Sequence, residues 1–241
     1  MYVRRVIRSG DVLEIEEFYT CEKGTPVGTP SPYPAADKEK KQEYEYRGRV
    51  KKLSRLINAN FCEGDLFLTL TFRKSVSIAQ SKDDLHNFLR ALRRRRRADG
   101  LADLKYISVT EVGIGGANKH HHLLINDMSA DSAIKLWRHG RVLVSRLTPY
   151  ADYTGLAHYI TKENKRPYEN RWNRSRNLLQ PEIREIPVNP CMDSLSLPVE
   201  YSGFHIISNE NFYGESIGMR KYLRAIAPAG HDWSDGSDLL L

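Results

Sequence analysis

The sequence has little cysteine and no long apolar run. Its three cysteines, Cys21, Cys62 and Cys191, are scattered through 241 residues without C-x-x-C spacing. Neither a disulfide framework nor a zinc ribbon is therefore expected. The longest apolar stretches, such as "LFLTLTF" near residue 70, are far too short to span a bilayer. The opening "MYVRRVIRSGDVLEIEE" lacks the continuous apolar segment of a signal peptide. GxxxxGK[ST] does not occur, so no helicase motor is expected within this chain. These absences predict an intracellular protein without a membrane partner.

What is abundant is positive charge. Lysine and arginine outnumber the acids 37 to 30, for a net charge of +7. The excess is clustered in "RRRRR", Arg93 to Arg97, and in "KENKRPYENRWNRSRN", Lys162 to Asn177. Clustered cations suit a polyanion, because binding releases condensed counterions. A plain solvated face is the alternative that charge alone leaves open.

Along the chain, "YVRRVIRSGDVLEIEEFY" reads as a hairpin turning at Ser9-Gly10-Asp11. "GTPVGTPSPYPAAD", Gly24 to Asp37, carries four prolines and reads as a linker. A charged helix from Ala35 to about Asn58 puts Val50, Leu53, Leu56 and Ile57 on one face. "GDLFLTLTF" is a turn and a strand, with Phe67, Thr69 and Thr71 opposite Leu68, Leu70 and Phe72. Ser81 is the expected cap of the next helix, which has Asp83 and Asp84 in its first turn and buries Leu85, Phe88, Leu89 and Leu92. The five arginines that follow encircle the helix, so its last turn must leave the core. "LKYISVTEVG" and "HHHLLIN" form an antiparallel pair across the turn "GIGGAN". A short helix capped by Ser129, a strand "RVLVSRL" and a helix from roughly Tyr150 to Lys165 come next. "FHIIS" reads as a strand, and "ESIGMRKYLRAIA" as a short helix or a strand. The element order predicts an α+β fold: an antiparallel central sheet with flanking helices on one side, of ferredoxin-like type. The division it implies is residues 1–34 as hairpin and linker, 35–225 as the main domain and 226–241 as a flexible acidic tail.

In a strand, His120 and His122 share one face and His121 takes the other. Glu111 faces them from the neighbouring strand. Two imidazoles and a carboxylate with open positions suit a catalytic metal site rather than a closed structural one. A surface histidine cluster beside a turn is the bland alternative. On the helix "GLAHYITKENK", Tyr159 and Lys162 lie three residues apart on one face. A phenol is a poor nucleophile near neutral pH, and a nearby ammonium favours its phenolate. Packing aromatic plus solvated lysine is the common alternative for such a pair.

Taken together, "FLTLTF", the glutamate upstream of "HHH", and "HYITK" resemble, in order and spacing, the HUH endonucleases. More narrowly they resemble rolling-circle replication initiators of phages, plasmids and integrative elements. "LINANFCEGDLFLTLTF" and "RWNRSRNLLQPEI" extend the likeness over roughly Arg49 to Ile183. The resemblance implies an RRM-like sheet with a divalent metal, Mg²⁺ or Mn²⁺, held by His120, His122 and Glu111 on its exposed face. It implies that Tyr159 attacks a phosphate of single-stranded origin DNA, leaving a 5′-phosphotyrosyl link and a free 3′-OH. Lys162 would stabilise the phenolate or the developing negative charge. Two departures stand out. His121 occupies a position that is usually apolar. Gly155 stands where two-tyrosine members carry a second nucleophile, which implies a single-tyrosine enzyme unless Tyr153 or Tyr150 takes that role. Tyr153 lies ~240° around the helix from Tyr159, which argues against it.

The expected DNA path runs over Arg93, Arg94, Arg96, Arg97, Lys165, Arg166, Arg171, Arg174 and Arg176, with Trp172 and Tyr168 as stacking platforms. A separate helicase, a host polymerase and the cytoplasm of a bacterial host follow as expectations. A relaxase or transposase with the same chemistry remains open, as does a non-catalytic RRM-like binder of single strands.

Overall fold

A computed structural model of the chain describes residues 1–20, 38–113, 119–148, 152–162, 172–214 and 218–233. In chain order the elements are β1 (Tyr2–Ser9), β2 (Val12–Tyr19), α1 (Lys38–Asn58), β3 (Leu66–Thr71), α2 (Ile78–Ala98), β4 (Tyr106–Val112) and β5 (Lys119–Ile125). They continue with α3 (Ala130–Leu136), β6 (Val142–Arg146), α4 (Thr154–Lys162), β7 (Asn173–Arg174), β8 (Glu182–Pro187), β9 (His205–Gly214) and β10 (Gly218–Ile226). The class is α+β as expected, but it is built on two antiparallel five-stranded sheets rather than one.

The chain forms two compact units, Met1–Ala59 with Gln180–Leu241, and Asn60–Leu179. This differs from a division at residues 34 and 225, because the N-terminal hairpin pairs with strands from the far end of the sequence. In the first unit the strand order is β8-β1-β2-β10-β9. Gly10, at φ 60, opens the two-residue turn that joins β1 to β2. A Cβ there would lie 2.2 Å from the carbonyl oxygen of Asn58, so only glycine lets the hairpin approach α1. One sheet face buries Val6, Leu13, Ile15, Leu223 and Ala225 against Tyr201 and Phe204. Between the other face and α1 lies a buried ion network. Arg55 donates to both oxygens of Glu14 at 2.9 and 2.8 Å and to Glu16 at 2.8 Å, and Lys51 pairs with Glu16.

The second unit has the order β6-β3-β5-β4-β7, every neighbouring pair antiparallel. One face carries Leu66, Leu68 and Leu70 of β3 with Leu123 and Ile125 of β5. These pack against Leu85, Phe88, Leu89 and Leu92 of α2 and Ala133 of α3, with Trp137. Ser129 caps α3 as expected, accepting from the N–H of Ser132 at 3.3 Å. The start of α2 needs correction. Ser77, not Ser81, is the cap, with extended backbone and its hydroxyl accepting from the N–H of Gln80 at 3.0 Å. Ser81 lies inside the first turn, fully buried, and its N–H makes a helical bond to the carbonyl of Ser77 at 3.0 Å. Asp83 and Asp84 therefore fall beyond that first turn.

The helices are not all on one side. α2 packs on the leucine face, whereas α4 reaches the opposite one, where the Tyr159 ring touches Phe67 and His122. Among the described residues, no helix is long and apolar enough to cross a membrane.

Candidate active site

The second sheet places the histidines by strict alternation. His122 lies opposite Thr69 of β3 and Val109 of β4, and His120 lies opposite Thr71 and Glu111. Opposed residues in an antiparallel pair share a face, so Phe67, Thr69, Thr71, Glu111, His120 and His122 emerge together. His121 emerges on the leucine face.

His122 is the most constrained of them. Its Nε2 lies 2.9 Å from Glu111 Oε2, and its Nδ1 lies 3.2 Å from the hydroxyl of Thr69. Phe67 stacks parallel to the imidazole at 5.8 Å between centroids. Tyr159, from α4, meets the His122 ring edge-on at 5.4 Å and the Phe67 ring at 6.0 Å. Helix α4 is anchored by buried Ala157, Ile160 and Thr161, while Tyr159 itself is 56 % exposed. Its phenol thus stands beside the histidine and open to solvent, as an attacking group must.

Two of the three expected metal ligands are in direct contact, and the third is a register neighbour of both. Among the described residues, no three His, Cys, Asp or Glu side chains stand close enough to enclose a metal ion as placed. The contacting pair nevertheless fits a cation. Two ligands held at right angles about 2.0–2.1 Å from one octahedral ion lie about 2.9 Å apart, which is the separation of His122 Nε2 and Glu111 Oε2. Thr69 suits the same role. Its hydroxyl accepts from Nδ1–H when Nε2 serves as a ligand, and donates to Nδ1 when Nε2–H bonds Glu111.

His121 does other work. It is fully buried, with Nε2 3.0 Å from the carbonyl of Ser81 and Nδ1 3.0 Å from the hydroxyl of Thr110. Because a carbonyl only accepts, Nε2 carries the proton and Nδ1 accepts from Thr110. Burial pushes its pKa down to about 4, so the ring is neutral. It fastens β5 to α2 in a position otherwise suited to an apolar side chain.

The remaining expected residues separate. Tyr153 is buried, and its hydroxyl donates to the carbonyl of Thr148 at 3.1 Å. Lys162 closes α4, with its side chain outside the described residues, as are Tyr150, Lys165, Arg166, Tyr168 and Arg171. Arg174 pairs with Ile107 in register, so it shares the histidine face, and both it and Arg176 are exposed. Trp172 is half-buried.

The arginine run requires two corrections. Arg96 is not on a DNA path. It is 3 % exposed and donates to the carbonyls of Ala102, Asn126 and Asp127 at 2.8, 3.0 and 2.7 Å. Arg93, Arg94 and Arg97 belong to α2, whose apolar side packs on the leucine face, so the sheet stands between them and Tyr159.

Phe67 and Thr69 received no role from sequence, although their alternation already put them on the histidine side. Which of them touches His122 depends on the pairing of β3 with β5, and that pairing is not legible locally. No curated protein and no solved structure matches the chain. Residues 65–164 match the family model of the replication-associated proteins ORF2 and phage gene 2 protein, so the segment holding this site belongs to a phage rolling-circle Rep family of HUH type.

Proposed function

We propose that the chain initiates rolling-circle replication by nicking single-stranded origin DNA, with one tyrosine and a divalent metal, Mg²⁺ or Mn²⁺. The observation that carries this reading is the exposed Tyr159 phenol beside His122, whose Nε2 stands 2.9 Å from Glu111 Oε2 on the same face.

His120, His122 and Glu111 would hold the metal, with His120 completing the contacting pair from its register position. A bound divalent ion supplies Lewis-acid polarisation of the scissile phosphate. The residues do the rest. The Tyr159 oxygen attacks phosphorus, and the bond from phosphorus to the 3′ oxygen breaks. That oxygen takes a proton and leaves as the 3′-OH primer, while the phosphate stays on tyrosine by its 5′ side. Lys162 follows Tyr159 by three helical positions, where an ammonium favours the phenolate. Phe67 fixes the tyrosine ring against His122. Arg174 and Arg176 offer phosphate contacts on or near the same face, and Lys165, Arg166 and Arg171 extend that charge in sequence. Unwinding and extension fall to a separate helicase and a host polymerase.

The test is cleavage of single-stranded oligonucleotides tiling the parent replicon, with and without Mn²⁺. Metal-dependent cutting at one site, lost in His122→Ala and in Glu111→Gln, supports the reading. Binding without cutting on every tile favours an RRM-like single-strand binder instead.

A further inference from the structure

We infer that the outer face of α2 is a second nucleic-acid surface, which binds the backbone of duplex DNA on the side of the sheet away from Tyr159. At ~100° per residue, Arg90, Arg93, Arg94 and Arg97 fall within an arc of about 100°. That arc points away from Leu85, Phe88, Leu89 and Leu92, which are in the core. Arg90, Arg94 and Arg97 are exposed, and among the described residues none of them has an ion pair. Arg93 is half-buried, its guanidinium 5.7 Å from the centroid of Tyr106. Lys82 and His86 continue the stripe towards the helix start, both exposed. The nearby carboxylates are few. Asp99 is engaged by Arg95 at 2.8 Å, and Asp83 lies about two turns before Arg90.

The stripe is costly to the free protein. Arg90–Arg94 and Arg93–Arg97 are spaced i, i+4, and Arg90–Arg93 and Arg94–Arg97 i, i+3. Each such like-charge pair is destabilising. The helix dipole does not account for it, because that effect fades within the last turn and Arg90 lies two turns before the end. Arg96 already ties the helix end to its neighbours. A polyanion is what relieves four such repulsions.

Duplex fits better than a single strand. Surfaces that bind single strands interleave aromatic platforms with their cations. Here the aromatics of the region are covered, Phe88 in the core and Tyr106 beneath Arg93. A straight helix about 10–12 Å across, studded with guanidinium groups, matches a major groove about 12 Å wide and its bordering phosphates.

The experiment compares the full chain with its Arg90→Gln/Arg94→Gln/Arg97→Gln variant. Binding to a fluorescent duplex of unrelated sequence is measured in EDTA across a range of salt concentrations. The slope of log affinity against log salt should become less steep by about 2.7, at ~0.9 per neutralised phosphate. The thermal midpoint should stay equal or rise, since repulsion has been removed. An unchanged slope, or a loss confined to single-stranded oligonucleotide, overturns the assignment. Neither metal nor Tyr159 takes part, so failure here leaves the nicking proposal standing, and failure of nicking leaves this surface standing.

Discussion

His122 is the residue on which the site turns, because every neighbour on its face touches it. Thr69 holds one ring nitrogen at 3.2 Å and Glu111 the other at 2.9 Å. Thr69→Val removes the group that orients the imidazole, while Thr69→Ser keeps it. The valine variant should bind Mn²⁺ about 10–100-fold more weakly, as loss of such an orienting partner commonly does, and the serine variant should restore most of that affinity. Calorimetric or paramagnetic titration of Mn²⁺ reads this without DNA; equal affinities in all three proteins would remove Thr69 from the site. His121→Leu makes the opposite prediction. It forfeits the bonds to Ser81 and Thr110 in an apolar setting, at about 1–2 kcal/mol, and nicking should continue near the parent rate. At this scale the sequence was informative about direction: alternation alone separated His121 from its two neighbours. It was silent about contact, since Thr69 and Phe67 meet His122 only through a strand 53 residues away in sequence.

Among the elements, α2 shows most plainly what local pattern conveys and what it conceals. Its apolar spacing located the core side, and all four predicted residues are buried there. Its start was misplaced because two serines lie four apart, and the choice between them is made by burial: Ser81 enters the interface with β5, which leaves Ser77 as the cap. Its basic end was misread for a related reason. Five consecutive arginines look equivalent in sequence, yet one of them turns inward to bind three carbonyls of the segments leading into β4 and out of β5. Arg96→Met keeps the length and removes those donors. It should lower unfolding stability by about 2–4 kcal/mol, measured by chemical denaturation, whereas Arg94→Met should leave stability within about 0.5 kcal/mol of the parent. Equal effects from both would contradict the inward role of Arg96.

For the whole molecule, the sequence conveyed the α+β class and the histidine-bearing sheet, but not the second sheet. β1 and β2 read correctly as a hairpin; their partners β8 and β10 lie more than 160 residues away, and β-pairing at that distance leaves no local mark. Nor do Glu14 and Glu16 announce burial, since on an isolated hairpin they would be a solvated face. In the structure burial raises both carboxyls, but Lys51 and Arg55 outweigh it, and Glu16 is held at about 2. Burial pulls the Lys51 ammonium below its usual value, so the permanently charged Arg55, bonded to both carboxylates, is the firmer cause. A carboxyl depressed in the folded state stabilises fully above its unfolded value near 4.5 and loses that contribution as pH falls towards about 2. The guanidinium midpoint of the first unit should therefore fall between those limits, and Glu16→Gln should flatten the fall. A profile unchanged by that substitution would place the acid sensitivity elsewhere.

The central claim is that the exposed phenol beside His122 becomes joined to DNA, and the most direct measurement follows the two ends of a cut strand. Single-stranded origin DNA labelled at its 3′ end is incubated with the protein and Mn²⁺ and resolved on a denaturing gel. The account predicts label migrating with the protein, absent in Tyr159→Phe, while a 5′-labelled strand yields a free shortened product ending in a 3′-OH. An adduct that persists in Tyr159→Phe, or one that carries the 5′ label, would contradict it.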